Sequence, residues 1–229
     1  PRCGSAGSRR SDRPKQPQYA SAMANKPPWL RPVDTSSADS PMLETALAYA
    51  ARGLAVHPVH SMQSGCCTCG DPACEHAAKH PLTQHGVHDA TTQEAAIRRW
   101  WQQWPFANVA LRAAEIGAVL DIDPRNGGTE SLDSLLAKHG DLPDTVEVQT
   151  GGGGLHFWFR LPAGVEIRKG SIAPGVDLQA GAGAYVLAPP SLHRSGRGYD
   201  FEASSDFLLG QAIAMAPDWL IQARREAGV

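Results

Sequence analysis

Gly117-Ala118-Val119-Leu120-Asp121-Ile122-Asp123 is an apolar run that ends in two aspartates one residue apart, and Pro124-Arg125-Asn126-Gly127-Gly128 closes it. Aliphatic and β-branched residues followed by Pro-Gly punctuation predict a buried strand. Side chains alternate along a strand, so Asp121 and Asp123 fall on one face. Two neighbouring carboxylates at the end of a buried strand repel each other and resist desolvation, and a shared divalent cation relieves both problems. The plainer alternative has one aspartate capping the turn and the other in solvent. The pair alone does not choose between them.

Downstream, Gly151-Gly152-Gly153-Gly154 precedes Leu155-His156-Phe157-Trp158-Phe159-Arg160, which alternates as a strand. Four glycines let a backbone approach a ligand closely and aim amides at an anion. His156 beside that loop, with Trp158 and Arg160 on the same strand face, suits a phosphate; a hairpin turn before a core histidine is the plain reading. Asp177 lies between Val176 and Leu178 and so projects away from both. If its strand lies beside that of Asp121 and Asp123, three carboxylates converge. Such a cluster can hold two divalent ions for in-line phosphoryl transfer.

The remaining elements follow from periodicity. Ser40-Pro41 supplies an N-cap and a first-turn proline for a helix carrying Leu43, Ala46, Leu47 and Ala50, stopped by Gly53. Leu54 to Val59 reads as a strand. Thr91-Thr92-Gln93-Glu94 predicts a capping box, behind which Ile97, Trp100, Trp101 and Trp104 form one apolar stripe, read as core. Strands are predicted over 108–112, 117–123, 155–160, 176–179 and 184–187, with a short one at 199–201. Helices are predicted over 129–139, with Leu132, Leu135 and Leu136 inward, and over 217–225. Helices intervene between strands early and hairpins dominate late, a pattern that suits an α+β fold.

With 229 residues and 42% apolar composition, the chain can bury a sizeable core. No apolar run approaches the roughly 18 residues of a membrane span. The absence of a secretory h-region points to a cytoplasmic protein. A net charge of −2 gives no global basic field, although a local basic groove suffices for nucleic acid. Residues 1–39, rich in Pro, Ser, Arg, Ala and Gly, are predicted to be a disordered arm, with Met23 as a natural start.

Four of the five cysteines fall between Cys66 and Cys74. Cys66, Cys67, Cys69, Cys74, His76 and His80 offer six soft ligands where a tetrahedral zinc ion needs four. No hydrophobic core can order so polar a segment, so metal would supply its folding energy; reactive thiols or a disulfide are the alternatives. Four protein ligands make such a site structural.

The order DxD, glycine loop with histidine, then an aspartate strand resembles the three motifs of the archaeo-eukaryotic primase superfamily. The similarity is closest to its primase-polymerase (prim-pol) branch, found in plasmid and phage replication proteins. Lys79-His80-Pro81, Gly175-Val176-Asp177 and Tyr185-Val186-Leu187-Ala188-Pro189-Pro190-Ser191 also carry the likeness, which spans roughly residues 42 to 220. The resemblance implies an RNA-recognition-motif-like catalytic sheet packed with a smaller N-terminal α/β module. In this reading 40–229 is the catalytic domain and 64–82 a zinc knuckle insertion.

Asp121, Asp123 and Asp177 would then hold catalytic Mg²⁺ or Mn²⁺, and His156 would contact the nucleotide's phosphates. Gly153, Gly154, Arg160 and Lys169 join it as expected nucleotide-binding residues, with Arg168, Arg194 and Arg197 as further sources of charge. The resemblance favours Cys67, Cys69, Cys74 and His80 as the zinc ligands, with Cys66 and His76 as substitutes. The family often has serine at Gly154 and a basic residue at Gln179, so the triphosphate contacts differ here. Expected partners are a single-stranded DNA template, nucleoside triphosphates and a helicase domain of a longer protein, with no membrane. The rival readings are a non-catalytic zinc-containing DNA-binding module of a replication initiator and a metal-dependent phosphodiesterase.

Overall fold

The computed structural model describes residues 40–227, so the arm predicted over 1–39 lies outside the described residues. Helix α1 spans Pro41–Ala51, strand β1 Val56–Val59, and a short hairpin joins β2 (Met62–Gln63) to β3 (Cys66–Cys67). Helix α2 (Glu94–Gln103), strand β4 (Asn108–Arg112) and the single turn α3 (Ala113–Ile116) lead into β5 (Ala118–Ile122) and α4 (Gly128–His139). Strands β6 (Glu147–Gln149), β7 (Leu155–Arg160), β8 (Gly170–Ala173), β9 (Val176–Ala180) and β10 (Tyr185–Leu187) follow. The short strands β11 (Asp200–Phe201) and β12 (Ala214–Met215) and helix α5 (Asp218–Glu226) complete the described chain.

The larger sheet runs β11-β6-β7-β5-β9-β8, with β12 added alongside β7. It is antiparallel apart from that last pairing. Alternation in β5 decides its layers. Ala118, Leu120 and Ile122 meet Phe159, Leu178, Leu220 and Ile221 in one core, which Leu132 and Leu135 of α4 help to cover. Val119 packs on the other face with Trp158, Ile97, Trp101 and Leu111. Asp121 shares that second face with Val119. The second face is covered by α1, α2 and a three-stranded sheet, β1-β4-β10. Two strands of this smaller sheet come early in the chain and the third comes from residues 185–187.

The α+β reading agrees with this architecture, and β4 and β7 begin and end where alternation placed them. Ser40 Oγ accepts the Leu43 N–H at 3.1 Å, the expected cap. The indole stripe is core: Ile97 and Trp101 are buried, with Trp100 and Trp104 packed against the same cluster. The capping box does not form. Thr91 instead pairs its backbone with Val56 and its hydroxyl accepts the Gln93 N–H, so α2 starts at Glu94 without a side-chain cap. Glu94, freed of that role, pairs with Arg98 at 2.8 Å.

His57 lies within β1, fully buried, with neither ring nitrogen hydrogen-bonded among the described residues and its ring edge-on to Tyr185 at 4.9 Å. Burial pushes its pKa down to about 4, against a smaller opposing pull from Asp89. The unfolded chain therefore takes up a proton near pH 6.5 that the folded chain refuses until about pH 4. Stability is expected to fall as pH drops through that window, by roughly 3 kcal/mol from this residue alone. Urea denaturation at pH 7.5 and pH 4.5 checks it: His57→Leu should show a dependence shallower by about one proton, and an unchanged slope refutes the assignment.

Candidate active site and metal centre

The register of the larger sheet builds the site. Asp121 is paired with His156 on β7 and with Asp177 on β9, so the three side chains form a row across adjacent strands on one face. Asp123 follows two residues later on the same face, just past the end of β5. The row opens onto a cavity of about 350 Å³ that also takes in Lys79, Arg125, Thr150, Gly152, Gly154 and Tyr199. A larger cavity of about 660 Å³, lined by Arg168 and Arg224 among others, holds none of the three aspartates and not His156. Chemistry marks the smaller one.

His156 is 6% exposed, and its Nε2 lies 3.5 Å from Asp121 Oδ1. Burial lowers its pKa and nearby Lys79 adds to the effect, while Asp121 opposes both. Its Nδ1 has no hydrogen-bond partner among the described residues. Tyr199, also buried, packs within 6.1 Å of the His156 ring, and burial together with Asp121 holds its hydroxyl protonated far above neutrality.

Asp123 is held differently. Arg125 donates to it through Nε at 3.1 Å and Nη2 at 3.2 Å, and Asn126 donates at 2.9 Å. The Arg125 contact, foremost, holds its carboxyl below the usual range. The three carboxylates share one cavity without meeting at ligand distance: among the described residues they do not form a group whose donor atoms all lie within 4.8 Å. Oxygen donors around one hollow nevertheless suit a hard divalent cation. The exposed Arg125 pair is weak enough to open for one.

Several expected residues occupy other places. Arg160 stays out of the cavity; its guanidinium donates to the carbonyls of Glu115 and Ile116 at the far end of β7. Alternation fixed its face correctly, but four residues of strand carry it roughly 13 Å from His156. Gly154 lines the cavity, and a Cβ there would fall 2.2 Å from the Ile122 carbonyl, which is why serine does not fit in this chain. Gly153 lies on a neighbouring surface under Arg197. Lys169 and Gln179 line a second groove of about 560 Å³ that runs from the cavity to His76 and His80 and shares Asp121, His156 and Lys79 with it. Lys79, Arg125, Thr150 and Tyr199 were missed as site residues. Lys79 stands beside His80 and Arg125 directly behind the DxD pair, the two signals that were legible.

At the knuckle, Cys67, Cys69, Cys74 and His80 bring their donor atoms within 4.8 Å of one another. Cys67 Sγ and Cys74 Sγ each lie 3.5 Å from His80 Nε2. That matches the sulfur–nitrogen edge of roughly 3.5 Å expected when both bind one tetrahedral zinc ion. Burial raises the Cys67 thiol, but the Cys69 and Ala78 backbone and His80 outweigh it and bring it to about 7. The group can therefore hold zinc. His76 and Cys66 fall outside it.

The sequence profile described as "Bifunctional DNA primase/polymerase, N-terminal" matches residues 46–219. The chain belongs to this family, whose members are DNA primase/polymerase domains of the nucleotidyltransferase type. No curated protein matches the chain significantly. No helix among the described residues is long and apolar enough to cross a membrane.

The knuckle backbone is tied to the site: Tyr185 Oη donates to the Lys79 carbonyl at 2.8 Å, and His60 N–H to that of His80 at 2.9 Å. Purified protein is expected to carry about one zinc per chain, measurable by atomic emission. Cys74→Ser should lose most of it and raise hydrogen exchange over 66–80 while β5, β7 and β9 stay protected. Full zinc content in that variant refutes the ligand set.

Proposed function

We propose that this domain is a template-directed primase-polymerase that makes and extends primers on single-stranded DNA in plasmid or phage replication. The observation that carries the reading is the row His156–Asp121–Asp177 at the mouth of one cavity, set within a chain of the primase/polymerase family. In this reading the sheet around β7-β5-β9 is the RNA-recognition-motif-like catalytic sheet of that family. A helicase domain elsewhere in a longer protein would supply unwinding.

Asp121, Asp123 and Asp177 would hold two Mg²⁺ or Mn²⁺ ions, which when bound offset the charge that develops on the triphosphate and the attacking hydroxyl. The rest falls to the chain's own residues. His156, neutral and fixed against Asp121, offers a preorganised contact to a phosphate, and Lys79 adds positive charge beside it. Gly154 and its neighbours let the nucleotide approach the backbone closely. Lys169 and the knuckle flank the second groove, where the template strand would lie next to the aspartates. Catalysis is then mainly positioning and charge stabilisation.

Incubation with single-stranded template, nucleotides and Mn²⁺, followed by product sizing, tests the proposal. Wild type should release pyrophosphate and build primers. Asp121→Ala and Asp177→Ala should each abolish extension and retain the wild-type circular dichroism spectrum. Undiminished extension by either variant defeats the assignment. DNA binding by wild type with no product would select the non-catalytic initiator module, and mononucleotide release the phosphodiesterase.

A further inference from the structure

His193 follows the Pro189-Pro190-Ser191 segment and lies against the same glycine loop, 4% exposed. Its ring is fixed: Nδ1 accepts the Ser195 N–H at 3.1 Å, which places the ring proton on Nε2. That Nε2–H meets no acceptor among the described residues. His193 packs directly on the loop backbone, where a Cβ on Gly151 would fall 2.3 Å from His193 Cβ. Ser195 Oγ and Arg197 Nε both donate to the Gly151 carbonyl, at 2.7 and 3.1 Å, and clamp the loop to this turn.

His193 and two further polar side chains lie close around Gly152. A Cβ built on Gly152 would lie 3.6 Å from His193 Nε2, 3.6 Å from Thr150 Oγ1 and 3.7 Å from Arg125 Nη2. Thr150 Oγ1 already accepts the Gly154 N–H at 2.9 Å, so its own hydrogen is free to donate. Arg125 stands between this space and Asp123, sharing Nη2 with Oδ2 of that carboxylate at 3.2 Å. Three donors thus lie around the outer side of Gly152, which itself lines the cavity of the aspartates. Burial and the charges of Lys79, Arg125, Arg194 and Arg197 keep the imidazole neutral down to about pH 4, so its donor is constant over the working range.

We propose that His193 Nε2, Thr150 Oγ1 and the Arg125 guanidinium form a dedicated position over Gly152 for a β- or γ-phosphate oxygen of the bound nucleoside triphosphate. The assignment rests on the function proposed above and adds residues to it. A DNA backbone phosphate has the same chemistry. The nucleotide is the better occupant because Thr150, Gly152 and Arg125 line the aspartates' cavity and not the longer groove.

Gly152→Ala is the direct test. No atom lies closer than 3.6 Å to the added methyl, so the variant should fold normally while filling the position. Titration calorimetry of the full chain with dATP and Ca²⁺, with dAMP, and with an oligo-dT strand should show about tenfold weaker dATP binding in Gly152→Ala and in His193→Ala. Affinity for dAMP and oligo-dT should be unchanged, as should the melting temperature of Gly152→Ala. Wild-type dATP affinity in Gly152→Ala, or an equal loss towards dAMP or oligo-dT, overturns the proposal. Should wild type itself fail to bind dATP, the function proposed above falls with it; binding by wild type with no effect of either substitution removes only this position.

Discussion

Antiparallel pairing of β5 with β7 on one side and β9 on the other is the constraint on which the rest depends. A ladder fixes not only which residues are neighbours but which face they share. With Asp121 opposite both His156 and Asp177, a slip of one residue in either neighbour would turn its side chain into the core of Leu120 and Leu178. Register is therefore enforced by apolar burial on both faces of these strands, and the polar row at one end of the second face inherits that precision.

Around the row, charge is balanced by segments distant in the chain. The knuckle delivers Lys79, the turn after β5 delivers Arg125, and the turn after β10 delivers Arg197 over the glycine loop. Two of the three are held by their side chains: Arg125 on the Asp123 carboxylate and Arg197 on the Gly151 carbonyl. Asp123 is already satisfied by Arg125 and Asn126, so any cation that binds there must compete with a guanidinium. Burial acts in the same direction on His156 and His193, lowering the pKa of both.

Much of this was legible from pattern. The run into Asp121 and Asp123, the alternation through His156 and the isolated acid Asp177 each showed the face a side chain would take, because period two is a local property. Distance along a strand and pairing between strands are not local. Arg160 shared the right face and still ended beside Glu115, and β8 escaped notice because Gly170-Ser171-Ile172-Ala173 has too little apolar content to read as a strand. The capping box at Thr91 failed for a related reason: a bridge to Val56, far away in sequence, outcompeted a local motif. His193 carried no spacing signal at all. It became visible only once the turn at 193–197 was seen folded onto Gly151.

The smaller sheet has a topological consequence. Its middle strand β4 is flanked by β1 from one side of the sequence and by β10 from the other, and the Ser191 hydroxyl accepts from the Val109 N–H and donates to the Val109 carbonyl. Everything between residues 113 and 184, including the larger sheet's central strands, is thereby enclosed as an excursion between two halves of one small unit. A cut anywhere in that interval parts β10 from β1 and β4 and so divides the smaller sheet between two pieces.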